Sequence, residues 1–323
     1  MGQTTWVYIF LGIYIIYAFY WGLKGYFTEK TSSGYAIAGR SIPFIAFLMA
    51  ATAASFSGWT FIGHPGLIWR DGLAYAFASF YVLTIPITGT FFAKRNWLMG
   101  KRYGFVTPGD MFAYYYNSEF ARWLTVFTAF LYSMFYSAVQ LMASAALFHY
   151  VAGGLRASTW VGVIQFILLV GGIILLGFFV VTSDAIGGWA AFGQKMAAWP
   201  DDLKFRMLKV PRVINFGLAG AEGETAWTAV MVLTYMFALM GIQSSPAFTL
   251  WNFGIKSPKP LAWQQAFMST FVVGFALFYF TAFQGMGARV LEMAGYTMSD
   301  GTVLKFAKDS DVVPILMTQF LPP

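Results

Sequence analysis

Long apolar runs alternate with short charged stretches along the chain. Each run approaches the roughly 20 residues that a helix needs to cross a hydrocarbon core. They lie near residues 5–23, 42–68, 73–92, 124–150, 159–181, 226–250 and 261–286, and charges fall almost only between them. The pattern predicts an all-α polytopic membrane protein, with residues 1–323 forming a single transmembrane domain. The longest polar stretch, 182–224, carries Trp189, Trp199 and Pro211 and predicts an ordered, partly interfacial loop. Heptads, low-complexity tracts and nucleotide-binding glycine patterns are absent from the sequence.

Composition agrees with the pattern. Of 323 residues, 59% are hydrophobic and 10% charged, whereas a soluble domain has roughly 25% charged residues. So few charges cannot cover a soluble protein of this size, and lipid replaces the missing polar skin. The balance of 20 Lys+Arg against 13 Asp+Glu leaves +7. In a membrane chain that excess reports topology rather than nucleic-acid binding, because basic residues collect on the cytoplasmic side. Lys24, Lys30 and Arg40 in the first loop, and Lys94, Arg95, Lys101, Arg102 and Arg122 in the third, place those loops in the cytoplasm and the N-terminus outside. Continued alternation then places the basic Lys256 and Lys259 outside and the slightly acidic stretch after Arg289 inside, against the rule. One more crossing between Leu124 and Thr159 would remove the conflict. The first run is long enough to be an anchor and lacks a basic lead and a small-residue cleavage site. With no cysteine, disulfides and thiolate metal sites are excluded.

The chemistry available inside the runs is neutral. An ionised side chain at mid-bilayer costs roughly 2.5–3.5 kcal/mol on insertion scales and usually marks a proton or ion relay. No Asp, Glu, Lys or Arg lies well inside a run, which disfavours proton pumping and leaves Na⁺, a hard cation content with neutral oxygens. The second run holds Thr52, Ser55, Ser57, Gly58 and Thr60, followed by Gly63, Pro65 and Gly66. Two readings stand: a close-packing helix face, or a locally unwound helix whose freed carbonyls and hydroxyls hold a small cation. Gln140 and Gln165 read as interhelical hydrogen-bonding groups, and His64 and His149 as interfacial or helix-end residues. The stretch Gln243-Ser-Ser-Pro-Ala-Phe-Thr249 reads as a broken or capped helix end, and Trp and Tyr at run ends as aromatic belts. No nucleophile–base set or metal-ligand spacing is present, so an enzyme is not expected.

Ala38-Gly39-Arg40, Ser57-Gly58-Trp59 with Gly63-His-Pro-Gly66, Thr107-Pro-Gly-Asp110, Gly153-Gly-Leu-Arg-Ala157 with Trp160 and Gln165, and Asp311 to Pro323 occur in that order. In this order they resemble the sodium/solute symporter family, which includes bacterial sodium/proline and sodium/sugar symporters. The resemblance implies a LeuT-like five-plus-five inverted repeat behind one extra N-terminal helix. It implies a secondary transporter in the bacterial inner membrane that moves Na⁺ with a small organic solute by alternating access. The family's sodium site takes backbone carbonyls at the positions of Ala53 and Phe56, with the remaining ligands from the eighth core helix. The solute sits beside the same break, at Ser55, Ser57, Gly58 and Trp59.

The sequence departs from the family pattern in three places. Only twelve residues separate Gln140 from Gly153, where the fourth core helix is expected, and the chain stops at Pro323 before the eighth. An internally gapped and shortened form of a longer protein is therefore expected. Ser55 stands where a family Asp is found, and Val161-Gly162 where Thr-Asp is found. The expected partners are a small solute, a monocarboxylate or amino acid, and membrane lipid, with no nucleic acid. A symporter-like sensor module with a C-terminal signalling domain, and a structural subunit of a membrane complex, are the alternative readings.

Overall fold

The structure is a computed structural model that describes residues 3–28, 30–140, 154–208 and 227–321. Among the described residues it is helical apart from two isolated bridges, Ile42 with Ile255 and Thr297 with Val303. In chain order the helices are α1 (Gln3–Thr28), α2 (Ser32–Ile37), α3 (Phe44–Ser55), α4 (His64–Asp71) and α5 (Leu73–Tyr103). Then come α6 (Pro108–Tyr116), α7 (Glu119–Gln140), α8 (Gly154–Thr182), α9 (Gly188–Ala197) and α10 (Asp201–Met207). The last are α11 (Ala229–Ala238), α12 (Pro246–Gly254), α13 (Lys259–Met293) and α14 (Val312–Phe320). Among the described residues, four stretches are long and apolar enough to cross a membrane: Tyr8–Thr28, Leu73–Tyr103, Thr159–Thr182 and Lys259–Met293. Two broken pairs, Phe44–Ser55 with Trp59–Asp71 and Ala229–Ser244 with Pro246–Gly254, raise this to as many as six. This architecture is that of an all-α polytopic membrane protein. The extra crossing expected between Gln140 and Gly153, and His149 with it, lies outside the described residues.

Several boundaries differ from the hydrophobic pattern, each for a local reason. The third apolar run predicts an end at residue 92, yet α5 continues to Tyr103. Lys101 and Arg102 fill its last turn, where cations complement the helix dipole. The stretch 182–224 is not simply a loop, because α9 and α10 lie within it; residues 209–226 fall outside the described part. Within it Trp199 is buried and Trp189 half exposed. The run 226–250 is interrupted. After α11 a tighter turn covers Leu239–Ser244, and Ser245 is extended (φ −64°, ψ 157°) ahead of Pro246. A residue before proline is pushed out of the helical region, so the broken end expected at Gln243–Thr249 is borne out.

The chain forms two compact units. The first comprises Met1–Ser57, Ile85–Leu168 and Met240–Phe271. Its core packs Ile42, Phe47, Ala50, Ala51, Ala93, Trp97, Phe248 and Trp251. The Arg40 guanidinium donates to the Phe105 and Phe253 carbonyls at 2.7 and 3.2 Å, and the Trp97 indole to the Ile255 carbonyl at 3.0 Å. Gly162 lets α8 approach α3: a Cβ there would lie 2.9 Å from that of Ala50. Tyr14, Tyr17 and Trp21 of α1 meet Gln165 and Trp160 of α8. Gln165 donates to the Tyr14 hydroxyl at 3.0 Å, and the Trp21 and Trp160 rings stack 5.0 Å apart. The interhelical role expected of Gln165 is borne out. The side chain of Gln140 lies outside the described part.

The turn into α6 is a reciprocal cap. The Thr107 hydroxyl accepts from Asp110 N–H at 3.2 Å, and the Asp110 carboxylate accepts from Thr107 and Val106 N–H at 2.7 and 2.9 Å and from the Arg122 guanidinium. Burial pushes the Asp110 carboxyl upward, but these bonds and the Arg122 charge outweigh it and hold its pKa below the ordinary value. A carboxyl depressed on folding contributes stability above its unfolded pKa, and loses it as pH falls through the folded value. Asp110→Asn is therefore expected to lose about 1 kcal/mol at neutral pH. The difference from wild type should begin to shrink below about pH 3.9, the unfolded value, and vanish only once pH has fallen below the depressed folded value. Thermal unfolding followed by tryptophan fluorescence across pH checks both statements; a gap that persists at low pH refutes them.

The second unit comprises Gly58–Thr84, Leu169–Leu239 and Val272–Pro323. Its core joins Ile68 and Trp69 of α4, Tyr75, Leu176 and Val180 of α8, Phe192, Met207, and Met286 and Val290 of α13. Gln284, fully buried, donates to the Ile173 carbonyl at 2.8 Å. Arg289 donates to the Trp69 carbonyl and the Glu292 carboxylate, and the Glu292 carboxylate also accepts from the Trp69 indole.

Candidate functional site

The second apolar run is a broken helix, as the unwound reading expected. α3 ends at Ser55, and Phe56 is extended (φ −125°, ψ 142°). Helical geometry resumes at Gly58 (φ −54°, ψ −28°), and a wide π-type turn over Trp59–Gly63 leads into α4. The last carbonyls of a helix lack intrahelical donors and carry partial negative charge. Here the Ala53 carbonyl accepts a tight capping bond from Phe56 N–H, at 3.2 Å. That is oxygen chemistry suited to a small cation.

The candidate residues fall on both sides of the break. In the first unit, Ala53 and Phe56 are buried, and Ser55 and Ser57 are partly buried. Thr52 is fully buried and donates to the Leu48 carbonyl at 2.6 Å; Ser55 donates to the Ala51 carbonyl at 3.0 Å. Both hydroxyls bond back into their own helix, so each oxygen is left to accept. Gln264 Nε2 donates to Thr52 at 3.4 Å, and Gln243 Nε2 to Ser55 at 3.0 Å. Gln265 and Ser269 complete this buried polar cluster.

Sequence reasoning missed the glutamines of α13. The search for ionised groups passed over neutral ones. The adjacent pair Gln264-Gln265 near the start of the run 261–286 was the available signal. Only the fold shows that Gln264 meets Thr52 of α3 and that Gln265 meets Gln243.

In the second unit, Gly58 is exposed and Trp59 partly buried. The Trp59 ring lies 5.4 Å from His64 and 6.3 Å from Tyr235. His64, expected at an interface or a helix end, is the first residue of α4 and is fully buried. Its Nε2 is 2.6 Å from the Ser79 hydroxyl, and the Tyr75 ring packs edge-on at 4.9 Å. The break turns the chain back into helix before His64, which places it in the core. Trp227 joins the cluster, 4.6 Å from Tyr75, and its indole donates to Asp71 at 2.9 Å. These aromatics form an internal cluster rather than a membrane belt. Among the described residues, no group of three or more His, Asp or Glu is placed to hold a metal.

Discontinuous apolar helices with neutral oxygens at the break are an arrangement in which membrane transport proteins hold small solutes or ions. Comparison with known proteins shows what the chain is similar to. Residues 35–153 match the model of the sodium:solute symporter family, which bears out the resemblance carried by the motifs. The chain is 28% identical over 187 residues to the sodium/pantothenate symporter of Escherichia coli (strain K12), covering 55% of this chain and 35% of that protein. It is also 28% identical over 193 residues to the sodium/glucose cotransporter of Vibrio parahaemolyticus, covering 52% of this chain and 35% of that one. The matched stretch thus spans about a third of each relative's length. Both relatives are transporters, not enzymes, and both are named for sodium.

Proposed function

We propose that the chain serves Na⁺-coupled symport of a small organic solute by alternating access, in a bacterial inner membrane with its N-terminus outside. Ala53 and Phe56 carbonyls hold Na⁺, and Ser55, Ser57, Gly58 and Trp59 contact the solute. The observation that carries this reading is the break at Phe56–Ser57, inside the stretch that matches the family and free of ionised side chains. A broken helix supplies carbonyls for a cation and polar contacts for a solute at one place. Supporting it is the absence of any acidic or basic residue from α3. The LeuT-like repeat with an extra leading helix is the frame in which these elements move.

The solute class is a monocarboxylate or an amino acid. Pantothenate, for which one relative is named, is a monocarboxylate. The partial positive charge at the start of the helix resumed at Gly58 favours a carboxylate there. The test is uptake into proteoliposomes of radiolabelled pantothenate, a panel of amino acids and glucose. An inward Na⁺ gradient is expected to accelerate uptake of one of the first two at least tenfold over a K⁺ gradient. Uptake indifferent to Na⁺ rejects coupling, and uptake of glucose alone rejects the solute class.

A further inference from the structure

The amides of Gln243, Gln264 and Gln265 are oriented by their surroundings, and the orientation leaves one oxygen stranded. All three side chains are nearly inaccessible, at 3, 1 and 2% exposure. Thr52 and Ser55 spend their protons on the Leu48 and Ala51 carbonyls, so they accept from the amino groups of Gln264 and Gln243. Gln264 also donates to Ser269 at 3.1 Å. With both amino groups turned to hydroxyls, Oε1 of Gln264 and Oε1 of Gln243 converge. Both accept from one nitrogen, Gln265 Nε2, at 2.5 and 3.0 Å. Gln265 Oε1 is then buried with no hydrogen-bond partner among the described residues. It lies against Gly89 of α5, where a Cβ would stand 2.3 Å from it.

A buried carbonyl oxygen is seldom left without a partner. A half-turn of the Gln265 amide exchanges its nitrogen and oxygen with little change of shape. It brings a third oxygen to the point where the other two meet. Three oxygens with no proton between them repel; a cation at that point converts the repulsion into coordination. We infer that Gln243, Gln264 and Gln265 form a monovalent-cation site that takes Na⁺ through three carboxamide oxygens, separate from the carbonyls of Ala53 and Phe56. The donor set is neutral and hard. Lacking a carboxylate, it favours one charge over two, and lacking sulfur and imidazole, it does not suit transition metals. Gln264 and Gln265 stand on a π-helical stretch, Trp263–Val273, an irregularity frequent at functional sites. The identity of the ion as Na⁺ rests on the symport reading; the convergence of oxygens does not.

Equilibrium binding of radiolabelled sodium to the full chain in nanodiscs, with choline as the balancing cation, tests the site. Gln265→Leu is expected to remove one class of bound sodium or weaken it about tenfold, a loss of about 1.4 kcal/mol. Gln265→Glu, close in shape and able to ionise beside a bound cation, is expected to tighten that class by a similar factor. Unfolding temperatures are recorded for both. If Gln265→Leu fails to fold, the Glu variant decides. Sodium binding by wild type that neither variant alters overturns the site and leaves the symport reading standing. No sodium binding by wild type overturns both.

Discussion

Gly285→Leu is expected to prevent stable folding of the second unit. A Cβ built at Gly285 falls 2.5 Å from the Pro65 carbonyl oxygen and 2.7 Å from Ile68 Cβ. Neither atom is the end of a flexible chain. α13 and α4 touch here backbone to backbone, and Ile68, Met286 and Val290 pack around the contact. Close approach through small residues is how helices gain packing energy in lipid, where the hydrophobic effect no longer drives them together. Opening the contact enough to admit a branched side chain should cost about 3 kcal/mol, at the top of the usual overpacking range. Size-exclusion chromatography of the solubilised chain after stepped heating should show a midpoint lowered by roughly 6–12 °C, or no monodisperse peak at all. A midpoint within experimental error of wild type would show that the two helices part without penalty.

Gly58→Leu is expected to do the opposite: fold normally and abolish uptake. Among the described residues, no atom beyond its own stretch of chain lies within 4 Å of a Cβ built at Gly58, and its φ of −54° suits any residue. A leucine there meets no steric objection in the folded chain and has the better helical propensity. Under the proposed function, Gly58 contacts the solute. Transport should fall at least tenfold while the unfolding temperature stays within about 2 °C of wild type. If the small hydroxyl-rich stripe were only a packing face, as its composition also allowed, the result would reverse. Stability would drop, and transport per folded molecule would persist.

The pair of glycines shows where legibility stops. Both lie on apolar helical runs; the sequence marks Gly58 by its hydroxyl-rich neighbours, but says nothing of the room around either. Gly285 is fully enclosed by α4, and Gly58 faces open space, a difference made by segments more than 200 positions apart in the chain. His64 carries the same lesson. Its position just beyond a hydroxyl-rich run reads as a span end. The resumed helix instead delivers it into a core of Trp59, Tyr75 and Ser79. The glutamines Gln264 and Gln265 gave only a weak local signal, because an amide in an apolar run is ordinary until its partners are known.

What the sequence determined by itself is what depends on composition and on neighbours in the chain. Apolar runs of bilayer length specify helices, because lipid offers no partner for backbone N–H and C=O groups. The proline at 246 and the small, hydroxylated residues around 55–58 mark the helix breaks, since each acts on the backbone next to it. The Thr107–Asp110 cap was written in four consecutive residues, and the motif order carried the family resemblance. The tertiary structure alone decided which polar groups meet: Thr52 and Ser55 with the glutamines of other helices, His64 with Ser79, and Gln284 with the Ile173 carbonyl. Contacts between distant segments are chosen by packing shape and hydrogen-bond satisfaction in the folded chain, and neither is a property of any window of sequence.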